Sequence, residues 1–266
     1  MEALKTFPLG QYIPGNSFLH SLDPRAKLIS SFWLIILLFL LKLNISYLIF
    51  FFFLVSEVLI SKIPLKYFIR SLKPLYFLIA FTFILHFFLG EEGGKVFFRY
   101  GIFHITEKGI QMAVFMSTRL IFLVIITSLL TLTTSILELA HGLEDILKPL
   151  NYVRFPVHEF SMMMTIALRF VPTLLEETDK IIKAQKSRGA EFGKGNLIEQ
   201  AKKLLPIIIP LFLSAFRRAG ELAEAMEARG YRGGKGRTRY KKVIWGMKEN
   251  LYISFIIIFS IFLLSL

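Results

Sequence analysis

The 266-residue chain contains no cysteine. That excludes disulfides, thiolate metal sites and cysteine nucleophiles at once. Acidic residues are also scarce: 19 Asp and Glu stand against 32 Lys and Arg, a net charge of +13. Histidine is thinly spread, with five in all, and His158-Glu159 lacks the second histidine of a zinc-binding helix. The run Gly189-Ala-Glu-Phe-Gly193-Lys194-Gly195 is one residue too short for a phosphate loop. It also ends in Gly where Ser or Thr would hold magnesium. No metal, cofactor or nucleotide is therefore expected on this chain, and no catalytic residue emerges. The first 25 residues hold no apolar run, so no signal peptide is expected.

Apolar sequence is abundant. Hydrophobic residues make up 55% of the chain, 28 of them Phe, and the mean hydropathy is +0.60. Much of this lies in blocks close to the roughly 17–25 residues that a membrane-crossing helix needs. The blocks run from Ala26 to Leu43, Ile45 to Ile60, Leu75 to Gly90, Ile110 to Leu132 and about Leu251 to Leu266. The pattern predicts an all-α polytopic membrane protein of about five spans, plus a domain of amphipathic helices. The first two spans, separated by Lys42-Leu43-Asn44, are expected to form a tight hairpin. Residues Val96 to Ile105 alternate around Tyr100-Gly101 and suggest a small β-hairpin.

Loop charge sets the expected orientation. Lys62, Lys66, Arg70 and Lys73 share one short loop without an acid, whereas the Glu91–Gly109 loop is balanced. The positive-inside rule then puts the N-terminus in the cytoplasm and the C-terminus outside the cell membrane. Three regions follow: 1–134 with four spans, 135–242 as a cytoplasmic helical domain, and 243–266 as the last span. Within the middle region, Ser135 and Glu138 form a capping box, and Asn196 with Glu199 is expected to cap a later helix. The basic run Arg229, Arg232, Lys235, Arg237, Arg239, Lys241 and Lys242 sits directly before a span. Anionic lipid contact and topology explain it more simply than nucleic acid, which is not an expected partner.

Two long helices end alike. Ala184 to Gly193 and Ala225 to Gly234 share A-x-x-x-R-G-x-x-x-G. One such end is ordinary helix-ending chemistry, with Gly at C′ and Arg in the last turn. Two matched ends also suit a rigid guanidinium fork presented to a partner. Met162, Met163 and Met164, with Leu211 and Phe212, lie on the same helices and offer an adaptable apolar surface. Glu57, His86 and Arg119 fall in or near spans, and a proton- or ion-coupled carrier using them is the competing reading. The lack of Gly/Pro-broken spans in matching halves weighs against it.

The segments GQYIPGNSFLHSLDPRAKL, LRFVPTLLEETDKIIKAQKSRGAEFG and PLFLSAFRRAGELAEAMEARGYRGGKGRTRY resemble the transmembrane (T) component of energy-coupling-factor transporters. The likeness covers essentially the whole chain. It implies a non-enzymatic subunit of an ATP-driven uptake transporter of the ABC superfamily. Two coupling helices would place Ser187-Arg188-Gly189 and Ala228-Arg229-Gly230 in grooves of two ATPase subunits, the A and A′ components. Met162, Met163, Met164, Leu211 and Phe212 would face a membrane-embedded S component that binds a vitamin or metal ion. The first tip reads Ser-Arg-Gly where the family pattern has Ala-Arg-Gly.

Overall fold

In the computed structural model the described residues are 12–42, 45–89, 95–100, 103–149, 157–190, 196–233 and 245–266. The basic stretch from Lys235 to Lys242, Gly193, Gly234 and the Gly101 turn lie outside them, as does the Pro149–Pro156 break beyond Pro149 itself. The chain divides into two compact units, residues 10–145 with 243–266, and residues 1–9 with 146–242.

The first unit is built on apolar and amphipathic helices: α1 (Phe18–Ser21), α2 (Pro24–Leu40), α3 (Ile45–Ser61), α4 (Leu65–Leu72), α5 (Tyr76–Leu89), α6 (Glu107–Thr133), α7 (Ile136–Leu147) and α10 (Met247–Ser265). Helix α7 belongs to this unit as far as Asp145. Strands β1 (Val96–Tyr100) and β2 (Phe103–Thr106) pair antiparallel between α5 and α6, as the alternation predicts. Among the described residues three helical paths are long and apolar enough to cross a bilayer: Leu65–Leu89, Glu107–Thr133 and Met247–Ser265. The α2 and α3 helices have 17 residues each, the lower limit for a span.

The expected α2–α3 hairpin does not form as a packed pair. Both helices lie instead against α6 and α10. The reason is the placement of large side chains. Leu34, Leu37, Leu38 and Leu41 of α2 and Tyr47, Phe50, Phe53 and Leu54 of α3 converge on Phe115, Phe122 and Ile126 of α6 and Ile256 and Leu263 of α10. In lipid, such clusters hold by packing and dispersion rather than by escape from water. The basic loop between the second and third spans is also corrected. Most of it is the helix α4, joined by a 3₁₀ turn (Lys73–Leu75) to α5. Leu65, Phe68, Ile69 and Leu72 recur at helical spacing, a signal hidden by the charges between them.

Polar side chains inside this unit serve helix ends. Asp23 is the N-cap of α2, accepting from the Arg25 amide at 2.8 Å, with Pro24 at the first helical position. Arg25 Nε then lies 3.3 Å from Asp23 and 3.4 Å from Asp145, tying α7 to the start of α2. The buried Lys27 donates to the Thr133 carbonyl at the end of α6 at 3.1 Å. Arg119 donates to the Leu41 carbonyl at the end of α2 at 3.1 Å and stacks on Phe115 at 4.3 Å. Cations at helix C-termini satisfy orphan carbonyls and the macrodipole together.

The second unit consists of α8 (Val157–Ser187) and α9 (Leu197–Ala228), packed on one another. Each is more than 30 residues long and contains proline: Pro172 in α8, Pro206 and Pro210 in α9. Asn196 takes the N-cap position of α9, but its side chain makes no cap hydrogen bond, contrary to the sequence expectation. The Ser135–Glu138 capping box is present in both halves, at 3.1 and 3.3 Å.

Candidate functional site

The two long helices end in the same hydrogen-bonded motif. At the end of α8, Gly189 donates to the Lys186 carbonyl (2.9 Å) and Ala190 to the Gln185 carbonyl (3.0 Å). At the end of α9, Gly230 donates to Glu227 (2.9 Å) and Tyr231 to Met226 (3.0 Å). Both are Schellman motifs, and each needs a left-handed residue at C′. Gly189 has φ +87° and Gly230 φ +76°, a region in which a β-carbon is strained. A β-carbon at either glycine would meet nothing within 4 Å, so only the backbone would resist a side chain there. Gly189→Ala and Gly230→Ala are each expected to cost about 1–2 kcal/mol locally. Faster amide exchange confined to the affected tip is the measurement that checks it.

The repeated sequence is thus a repeated conformation, and it presents the same side chain twice. Arg188 and Arg229 occupy the C-cap positions. Both are exposed, and neither guanidinium has a hydrogen-bond or ion-pair partner among the described residues. Ser187 and Ala228 are the last residues of their helices and are exposed too. The Ser187 hydroxyl turns back to donate to the Lys183 carbonyl at 3.2 Å, leaving the tip to the arginine. Each tip therefore offers five unspent donors on a rigid, well-capped helix end.

What fixes one tip relative to the other is a polar pin where α8 meets α9. Ser214 donates to Glu177 Oε1 at 2.6 Å, and Arg218 donates to Glu177 Oε2 at 3.2 Å. The Ser214 hydroxyl foremost holds the Glu177 carboxyl below its ordinary range; desolvation opposes it, and the Arg218 charge and hydrogen bond add to the lowering. Closer to the α8 tip, Gln185 donates to the Pro206 carbonyl at 3.4 Å. That carbonyl has no intrahelical partner, because the residue four positions on is Pro210. Positions 177 and 185 of α8 meet 214–218 and 206 of α9, so the helices run antiparallel and their tips point away from each other. Arg188 lies eleven residues beyond Glu177, and Arg229 eleven beyond Arg218. At ~1.5 Å per residue both tips stand roughly 16 Å from the pin.

Sequence reasoning did not single out Glu177, Ser214 or Arg218. Leu204, Leu205, Ile208, Ile209, Leu213 and Phe216 are exposed together with Phe212, which is 61% exposed. Their four-residue spacing marks one continuous stripe. Met163 on α8 is 58% exposed, while Met162, Met164 and Leu211 are half-buried.

Glu57, His86 and Arg119 are not brought together. Tyr252 donates to Glu57 at 3.2 Å, His86 is bonded to the Thr82 carbonyl of its own helix at 2.8 Å, and Arg119 caps α2. No hydrogen bond or ion pair among the described residues links any two of the three. Glu57→Gln keeps an acceptor for Tyr252, so any uptake that depends on this chain is expected to stay near wild type. Loss of uptake with normal membrane insertion would restore the carrier reading.

The described residues thus form a largely helical chain with helices able to cross a membrane and, in a separate unit, two arginine-tipped helices joined by one pin. A family model described as cobalt transport protein (CbiQ) matches residues 15–240. The energy-coupling factor transporter transmembrane protein EcfT of Brevibacillus brevis is 52% identical over 248 residues, covering 93% of each chain. The protein of the same name from Bacillus subtilis is 44% identical over 258 residues, 97% of each chain. That from Ruminiclostridium cellulolyticum is 50% identical over 240 residues, 90% of this chain and 89% of its own. The chain belongs to the EcfT family of energy-coupling factor transporter transmembrane proteins.

Proposed function

We propose that this chain is the scaffold and coupling subunit of an ATP-driven uptake transporter, embedded in the cell membrane with α8 and α9 on the cytoplasmic side. It carries no hydrolytic chemistry of its own. Arg188 and Arg229, each flanked by a small residue and a glycine, seat in grooves on two ABC-type ATPase subunits. There a guanidinium fork meets carboxylates or backbone carbonyls, and the adjacent glycine permits close approach. The observation that carries this reading is the pairing: two identically capped tips, equally far from one ion-paired pin, each with an exposed arginine that has no partner among the described residues. Because the pin ties α8 to α9, a two-subunit motor that moves one tip moves the other with it.

The apolar stripe of α9 and the exposed Met163 supply the other contact, a membrane-embedded S component that carries the vitamin or metal ion. A stripe of this length on a helix with two polar tips fits a partner whose own surface is apolar. Phe212→Asp and Met163→Asp are expected to reduce S-component retention, because a carboxylate in an apolar contact is costly to desolvate. Both should leave the ATPases bound. Co-purification in detergent checks both halves of this expectation. Full S-component retention by the two variants would place that partner elsewhere.

A further inference from the structure

The chain between Val58 and Gly90 contains no Asp or Glu and carries Lys62, Lys66, Arg70 and Lys73. Folding into α4 sorts this segment onto three faces. Phe68 is buried with Val58, Ile63 and Leu132. Leu65 and Ile69, four residues apart, form an exposed apolar stripe. Lys66, Arg70 and Lys73, at i, i+4 and i+7, form an exposed cationic stripe beside it. The adjoining α5 has 14 residues. At ~1.5 Å per residue that is about 21 Å, short of the roughly 30 Å hydrocarbon core. The 3₁₀ turn adds about 6 Å at ~2.0 Å per residue and leaves the path just short of spanning, so the apolar stripe of α4 sits at the bilayer surface. That holds the cationic stripe at the depth of the lipid phosphates, within reach of long side chains.

A second observation points the same way. Lys62, in the turn before α4, has φ +56° and is the one non-glycine residue with positive φ among the described residues. Glycine would adopt that conformation without strain. The chain places a fourth cation there instead.

We propose that Lys62, Lys66, Arg70 and Lys73 form a headgroup-binding surface for anionic phospholipid. Charge complementarity argues for phosphate-rich, acid-bearing headgroups, because the segment has no carboxylate to meet a choline or ethanolamine cation. The apolar stripe alongside argues for a bilayer rather than an acidic soluble protein, which would leave Leu65 and Ile69 in water. Such a surface fixes the height and tilt of α4 and α5 against the leaflet.

The test uses the full chain, incubated with mixed phosphatidylglycerol and phosphatidylcholine micelles, with retained lipids counted by native mass spectrometry. The unmodified chain is expected to prefer phosphatidylglycerol, and the preference should decline as ionic strength rises. Lys66→Gln/Arg70→Gln/Lys73→Gln should lower the preference on the order of a hundredfold. Neutralising Lys180, Lys183 and Lys202 on α8 and α9 should leave it unchanged. Because the chain lacks cysteine, Ile69→Cys carries a single fluorophore. Nitroxide lipids should quench it in vesicles, both for the chain alone and within the assembled transporter. Equal retention of both lipids, a salt-insensitive preference, or an unaffected triple variant would overturn the proposal. So would a fluorophore shielded from lipid once the complex assembles, since a protein partner would then cover α4.

Discussion

Reversing the charge at the pin, by Glu177→Arg, is expected to uncouple the transporter rather than unfold it. The substitution leaves Ser214 without its acceptor and sets two guanidiniums face to face where α8 meets α9. Both helices keep their Schellman ends, so the proposed ATPase association through the tips is expected to survive. What is lost is the fixed relation between the tips. ATP hydrolysis by the assembled complex should persist while substrate uptake falls steeply. The double variant Glu177→Arg/Arg218→Glu restores opposite charges and should recover part of the uptake. A purely local packing role would give no such rescue. The pin also has a defined pH window. A carboxyl held below its ordinary value stabilises the fold above that value, and the contribution is lost as pH falls through the lowered one. Glu177 therefore keeps the pin intact at neutral pH, and it weakens only below about 4.3, the ordinary Glu value. Coupling should show no step from this group between neutral pH and that point.

The tip arginines are expected to show a graded loss. An arginine serving only the helix dipole contributes about 0.3–1 kcal/mol, and lysine replaces it well. An arginine held in a partner groove loses bidentate geometry on becoming Lys and loses the charge as well on becoming Ala. Arg188→Lys and Arg229→Lys should thus weaken ATPase association and uptake, and the alanine variants more so. The double alanine variant should be the most severe, because one remaining tip still holds half of a two-subunit motor. Expression and membrane insertion should stay normal in all of them, since neither side chain has an internal partner among the described residues. Equal behaviour of Lys and Arg at both positions would reduce the tips to helix caps.

How much of this was legible in the sequence differs by feature. The spans were visible because long apolar runs have few other uses, and the matched tips because Arg-Gly endings repeat in words of identical length. Their shared Schellman geometry followed from glycine at C′. The pin was not legible: Glu177, Ser214 and Arg218 are ordinary residues on long amphipathic helices, and only the antiparallel register brings them together. Nor was Gln185 legible as the donor to Pro206, although two prolines four apart announce an orphan carbonyl. Helix α4 was mistaken for a loop because four cations outweighed an apolar spacing of 3 and 4. Lys27 passed unnoticed in the second helix, since nothing local shows that the carbonyl of Thr133 lies above it. Apart from α4, each miss is a tertiary contact between residues distant in sequence. The expected α2–α3 hairpin failed in the converse way, where sequence neighbours packed elsewhere.

The central claim is that both helix tips touch ATP-hydrolysing subunits. The absence of native cysteine permits a direct measurement. Ser187→Cys and Ala228→Cys each place one thiol beside a tip arginine, to be armed with a short photo-cross-linker in the assembled transporter. The account predicts that both positions cross-link to the ATPase subunits, and that Lys180→Cys, a little more than two turns back along α8, does not. Cross-links from neither tip to an ATPase, with the complex intact, would contradict it.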